Sequence, residues 1–242
     1  YEIPLRLVGS EMCIRDRPLD LKKAHREFYM ATNQPMIVTV PAVHYAVVRG
    51  VGESSLKNSF FKQAVMILYA VGRTLKMSYR TAHQIDGFVP YVLPPLERFW
   101  YKSQEGRSDA TGTGMLYWTL ASRLPDFVTR ADFDWAVQHT TEQRDMDCAY
   151  ARFVTMEEGL CVQCLHIGSY AERARTIERM HHFLGANGYA FDLTEHRQHH
   201  EIYLSDARKI PPDRLRTLLR QPIRMRQKEE LYEEVVCGGI RI

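Results

Sequence analysis

Cysteine, long apolar runs and net charge are all in short supply. The five cysteines, Cys13, Cys148, Cys161, Cys164 and Cys237, are an odd number spread over 242 residues. That excludes a disulfide-built scaffold and points to a reducing, cytoplasmic setting. The longest uncharged stretch, Phe28 to Val48, is broken by Pro35 and Pro41 and carries Asn33, Gln34 and His44, so no transmembrane helix and no membrane partner are expected. Lys and Arg number 32 against 29 Asp and Glu, and the resulting charge of +3 is too small to argue for nucleic acid or an anionic surface. No Gly-x-x-x-x-Gly-Lys loop and no Gly-x-Ser-x-Gly elbow occurs, which leaves nucleotide hydrolysis and serine-esterase chemistry without support. The single Cys-x-x-Cys, Cys161 and Cys164, lies in a strand-like run where a three-residue step sends the thiols to opposite faces. Neither a metal nor a cofactor is expected.

What is present is the composition of a globular chain, 45% apolar and 25% charged. Residues 1–17 have no signal-peptide pattern and include LVGSEMCIRDR, which resembles translated sequencing-adapter readthrough; they are expected to be a non-native prefix. Residues 18–42 read as a lead-in and 224–242 as an unassigned tail. Too few residues separate the prefix from Val43 for a helix-turn-helix domain, so no nucleic-acid partner is expected.

Within 43–223 the apolar period changes in a repeating order. His44 to Gly50 alternates as a strand, and a helix follows from Asn58 or Ser59 to about Met77, with Phe61, Ala64, Leu68, Val71 and Leu75 on one face. Phe88 to Leu93 and Leu96 to Tyr101 are strand-like around Pro94 and Pro95, Gln104 to Gly114 is a loop, and Met115 to Leu120 is a strand. Thr129 and Asp132 make a capping-box start for a linking helix. Leu160 to Ile167 then reads as a strand, Ser169-x-x-Glu172 opens a helix, and Tyr189 to Leu193 and His199 to Leu204 are strands. Pro211-Pro212 is expected to open a short helix through Leu215, Leu218 and Leu219. Strand, helix, strand, strand thus occurs twice, over about 43–124 and 158–206. The expected fold is α+β: tandem repeats forming one antiparallel sheet, with helices on one face and a ligand groove on the other.

The segments HYAVVRGVG, PLERFWY, YWT, PDFVT, EEGLCVQCLHIGSYAERARTIERMHHFLGANGY and HHEIYLSDARK together resemble the GyrI-like small-molecule-binding family over about Val43 to Ile223. Ser169 and Ala207 replace prolines of the family pattern, and Tyr101 replaces a tryptophan. The resemblance implies an aromatic, acidic ligand groove. It also implies either a drug-binding module or, among stand-alone relatives, hydrolysis of cyclopropanoid DNA-alkylating compounds. Glu201 is the key acid it points to.

In HHEIYLSD, period two groups His199, Glu201 and Tyr203 against His200, Ile202 and Leu204. If Ile202 and Leu204 face the helices, Glu201 and Tyr203 look into the groove, where aromatic surroundings would raise the carboxyl pKa toward a general-base range. Glu97, Phe99 and Tyr101 share one parity and Leu96, Arg98 and Trp100 the other, with the facing left open by the prolines. Trp100 and Trp118 are candidate walls for a planar or cationic ligand, with Phe99, Tyr101 and Tyr203 as further ligand contacts. Tyr170 fits a proton donor or a hydrophobic staple equally, and Glu97 is a candidate second acid. Arg173, Arg175 and Arg179 read most simply as solvated surface. Three functions compete: a hydrolase that opens a strained ring with Glu201-activated water, a non-catalytic small-molecule module, and a protein-binding groove.

Overall fold

The structure is a computed structural model and describes residues 18–30, 32–103 and 115–227. The prefix 1–17, the expected loop 104–114 and residues 228–242 of the tail lie outside the described residues.

In chain order the elements are α1 (Leu21–Ala24), α2 (Arg26–Tyr29), β1 (Met36–Val40), β2 (Val43–Val51), α3 (Ser59–Lys76), β3 (Leu96–Lys102), β4 (Leu116–Arg123) and α4 (Arg130–Arg144). Then follow β5 (Arg152–Met156), β6 (Gly159–Ile167), α5 (Arg173–Ala186), β7 (Tyr189–Phe191), β8 (His199–Tyr203) and β9 (Arg216–Met225). The α+β fold with a large antiparallel sheet is therefore observed. The sheet has nine strands in the order β1-β6-β9-β8-β3-β4-β2-β5, with β7 paired to β9 off that path. Among the described residues no helix is long and apolar enough to cross a membrane.

Local sequence explains the helices. Asn58 caps α3 by accepting the Phe61 N–H at 2.9 Å, and Ala64, Ile67, Leu68, Val71 and Leu75 bury one stripe at 0–2% exposure. Each large aliphatic side chain so buried stabilises by about 1.5–3 kcal/mol. Thr129 and Asp132 form the reciprocal capping box at the start of α4. Both α3 and α5 lie on one face of the sheet. Ala46, Val48, Trp118 and Leu120 pack with α3, and Val162, Cys164 and Leu219 pack with Met180 and Leu184 of α5.

The sheet curls. β5 and β6 stand near opposite ends of the strand order, yet only Glu157 and Glu158 separate them in the chain. Likewise Pro41 and Ala42 alone separate β1 from β2. These two short connections draw the ends together and make the helix-free face an inner one. Tyr29 of α2 closes part of that face against Leu165, Ile202 and Leu218.

Two expectations are corrected. The segment after Pro211-Pro212 makes only a short 3-10 turn, Pro212–Arg214, and then the ten-residue strand β9. Leu218 and Leu219 pack on opposite faces of the sheet rather than along a helical stripe. Phe88 to Leu93 is not a strand, and contributes only a bridge from Tyr91 to Leu19. Two strands were not expected: β1, within the lead-in, pairs with β6, and β5 pairs with β2.

Candidate active site

The site lies where the two halves of the sheet meet, along the β3–β8 seam. There Arg98 pairs with Glu201 and Trp100 with His199 in register. Glu201 also stands opposite Leu219, which packs against α5, and Trp100 stands opposite Trp118, which packs against α3. Glu201 therefore lies on the helix face. The conditional facing read from sequence is reversed: Ile202 points inward to Tyr29 and Leu218.

Glu201 is wholly buried and ringed by donors. Arg98 Nη2 reaches Oε2 at 2.9 Å, and the Tyr203 hydroxyl donates to the same oxygen at 2.9 Å. Trp100 Nε1–H donates to Oε1 at 3.2 Å, Arg173 Nη1 donates to Oε1, and His199 Nε2 lies 3.3 Å from it. On its other side, His199 Nδ1 meets the Gln221 amide nitrogen at 2.7 Å. An amide nitrogen donates, so Nδ1 accepts and the ring hydrogen of neutral His199 stands on Nε2, toward the carboxylate.

The electrostatics follow from this shell. Burial opposes ionisation of Glu201, but the His199 hydrogen bond and the Arg98 and Arg173 charges outweigh it and hold the carboxyl well below the usual range. The expected rise toward a general-base value is thus corrected, because two guanidiniums reach a group that sequence parity had placed among aromatics alone. Burial lowers the His199 pKa. The Tyr203 hydroxyl is pushed up by burial and by the Glu201 charge, and so is Tyr170.

Arg173 arrives from above the sheet. The Ser169–Glu172 capping box turns the chain after β6, and Arg173, first residue of α5, donates from Nε to the Tyr170 carbonyl at 2.6 Å while its Nη1 reaches Glu201. Its guanidinium lies 5.6 Å from the Tyr170 ring centroid, and that ring meets Tyr203 edge-on at 5.7 Å. Trp118 sits beneath the cluster at 2% exposure, edge-on to Phe61 at 5.0 Å.

Other expected site residues fall elsewhere. Glu97, Phe99 and Tyr101 face inward, away from Glu201. Glu97 accepts from the Tyr29 hydroxyl at 3.0 Å and pairs with His200 Nε2 at 2.9 Å. His200 Nδ1 in turn meets Glu158 at 2.9 Å, and Arg220 bonds Glu158 at 2.7 Å. Phe99 stacks on His200 at 3.8 Å. Tyr101 stacks on Tyr117 at 5.0 Å, in the wall of an inner-face cavity of about 650 Å³ that Arg49, Phe99, Glu158 and Gln198 also line. The structure thus brings Glu201, Trp100, Tyr203 and Tyr170 together, with Trp118 as their support, and separates them from Glu97, Phe99 and Tyr101.

Sequence reasoning missed Arg98, Arg173, His199 and Gln221. One signal was available: an arginine between Leu96 and Trp100 on a strand face with aromatic neighbours requires a carboxylate partner.

A family model, the GyrI-like small-molecule-binding domain, matches residues 33–224. The chain belongs to the GyrI-like family. Among solved structures this GyrI-like protein is similar to a conserved protein of Listeria innocua, at 37% identity and a TM-score of 0.78, covering 85% of this chain and 100% of that one. It is also similar to two Listeria innocua proteins described as hydrolases. The first is 35% identical with a TM-score of 0.77 and covers 85% of this chain and 100% of its own. The second is 36% identical with a TM-score of 0.77 and covers 86% of this chain and 100% of its own. No curated protein matches the chain.

Proposed function

We propose that this GyrI-like protein binds a planar, largely apolar small molecule over Trp100 and adds water to it. The substrate would be a strained, electrophilic ring of the cyclopropanoid type that the family resemblance implies. The observation that carries the proposal is a completely buried carboxylate, Glu201, hydrogen-bonded to the edge of a partly exposed indole and ringed by cationic and hydroxyl donors. The likeness to two proteins described as hydrolases supports it.

In this reaction the water oxygen bonds to the ring methylene as the strained carbon–carbon bond breaks. The bonding pair moves through the conjugated ring to a carbonyl oxygen. Glu201 takes the proton from the attacking water, and a guanidinium or the Tyr170 hydroxyl stabilises the oxygen that becomes a phenolate. Proton return to that oxygen completes a net addition of water.

The test is incubation with a cyclopropanoid alkylator, ring opening being followed by mass spectrometry beside Glu201→Gln. Turnover in the native protein that is lost in the variant is expected. Equal turnover in both removes Glu201 as the base. A second reading, retention without turnover, is favoured by the strong ionisation of Glu201; saturable binding without product would select it.

A further inference from the structure

We infer that Arg173 receives an electron-rich oxygen of the ligand and, by leaving Glu201 to do so, uncovers the carboxylate, so that the site takes carbonyl or phenolate compounds and rejects organic cations. The inference rests on the water-adding role proposed above and supplies its trigger.

A carboxylate offers about four lone-pair positions. Five side chains surround Glu201: Arg98, Tyr203, Trp100 and Arg173 donate to its four positions, and His199 Nε2 stands 3.3 Å away. A water to be deprotonated has no position until one donor leaves. Four of the five are rooted in the sheet. Arg98 has only 9% of its side chain exposed and is tied to the Ser54 carbonyl at 3.3 Å. His199, at 3% exposure, is held by Gln221. Trp100 and Tyr203 are stiff rings on β3 and β8. Arg173 differs in its root and its exposure: it comes from the first turn of α5, its side chain is 26% exposed, its second tie runs only to the Tyr170 carbonyl three residues back, and its long chain has rotamers that swing outward.

The charges point the same way. Two guanidiniums face one carboxylate, and His199, its pKa lowered by burial, adds none. The neighbouring Trp100, Tyr170, Tyr203 and Gln221 are uncharged, and burial raises both tyrosine pKa values. The cluster therefore carries a surplus of one positive charge, which a ligand oxygen compensates and an organic cation increases. Arg173 already lies beside the Tyr170 ring, so an outward swing keeps it over aromatic surface where a planar ligand would stack. Its departure frees Oε1 beside Trp100 and removes one of the charges that keep Glu201 a weak base. Binding of the oxygen and activation of the base become one event.

Two planar bicyclic probes of similar size test this, 2-naphthol and N-methylquinolinium, with the native protein, Arg173→Gln and Arg173→Lys. The native protein should bind 2-naphthol at least about tenfold more tightly, an effect of the order of one charge-assisted hydrogen bond. Arg173→Gln should lose that preference and Arg173→Lys should keep part of it. Carbon-13 NMR should show the Glu201 carboxyl titrating at higher pH in Arg173→Gln, and turnover of a cyclopropanoid should fall about a hundredfold, as when one oxyanion donor is removed. Equal binding of the two probes, no saturable binding of 2-naphthol, or an Arg173→Gln variant with unchanged preference and titration overturns the inference. If the probe preference and titration shift hold but no alkylator is opened, the hydrolase proposal falls and the gate stands. If turnover is present and neither probe effect is seen, the gate alone falls.

Discussion

Arg98 and Glu201 face each other across the seam between the two halves, Nη2 to Oε2 at 2.9 Å, with the carboxylate wholly buried. Removing one partner of such a pair leaves the other charge desolvated. Arg98→Gln should cost about 3 kcal/mol in urea unfolding, the low end of the range for buried pairs, because Glu201 keeps Arg173. An Arg98→Gln variant as stable as the native protein would contradict the pairing.

Trp100 and Tyr117 lie on opposite faces of the sheet, beside Glu201 and in the inner cavity respectively. Trp100→Ala should weaken binding of a planar ligand about tenfold or more, from lost aromatic area and stacking. Tyr117→Ala should leave that affinity within about twofold. Calorimetric titration of both variants checks the difference, and an equal loss in the two would place the ligand on the inner face.

Gly50 pairs with Trp118 across β2 and β4, and a methyl group there would collide with the indole. Gly50→Ala should therefore destabilise by about 1–3 kcal/mol, the usual cost of overpacking. Thermal unfolding measures it. Because Trp118 supports Trp100, tryptophan fluorescence should change as well.

Stability should respond to pH most clearly on the acid side. Glu201 and Glu158 are held below their ordinary value of 4.5 despite the opposing effect of burial, Glu201 by His199 and the two arginines and Glu158, at about 2, by His200 and Arg220. Their contribution is full above the unfolded value and erodes as pH falls from about 4.5 toward 2 and below. His200 is shifted the other way: burial lowers it, but Glu158 and Glu97 outweigh burial and raise it above 6.5. That contribution is complete below 6.5 and disappears as pH rises through the folded value. His199, lowered by burial, acts the other way and costs stability as pH falls below 6.5. The two histidines therefore oppose each other and the acid limb is the readout: urea midpoints should fall as pH drops below about 4.5. A flat profile down to about pH 3 would contradict the paired carboxylates.

Much of the fold was legible because it rests on local signals. The caps at Asn58, Thr129 and Ser169 mark helix starts by side-chain chemistry that tertiary packing leaves intact. β9 was not legible, because Leu218 and Leu219 are both fully buried, one on each face, and a strand covered on both sides loses its alternation. β1 was hidden between Pro35 and Pro41 and takes its strand character from pairing with β6. The facing of Glu201 failed for the reason that hid β9: His199, His200, Glu201 and Ile202 are all buried, so parity separates two sets without telling which meets the helices. Arg173 looked like surface because nothing local reveals that the first turn of α5 overhangs β8.

The carboxylate and one of its two arginines come from distant parts of the chain, Glu201 from β8 and Arg98 with Trp100 from β3. Recombination between relatives that exchanges one half of the sheet would thus part the carboxylate from that arginine and from the indole. Chimeras of this family should keep their chemistry only when the strands 96–102 and 199–203 come from the same parent.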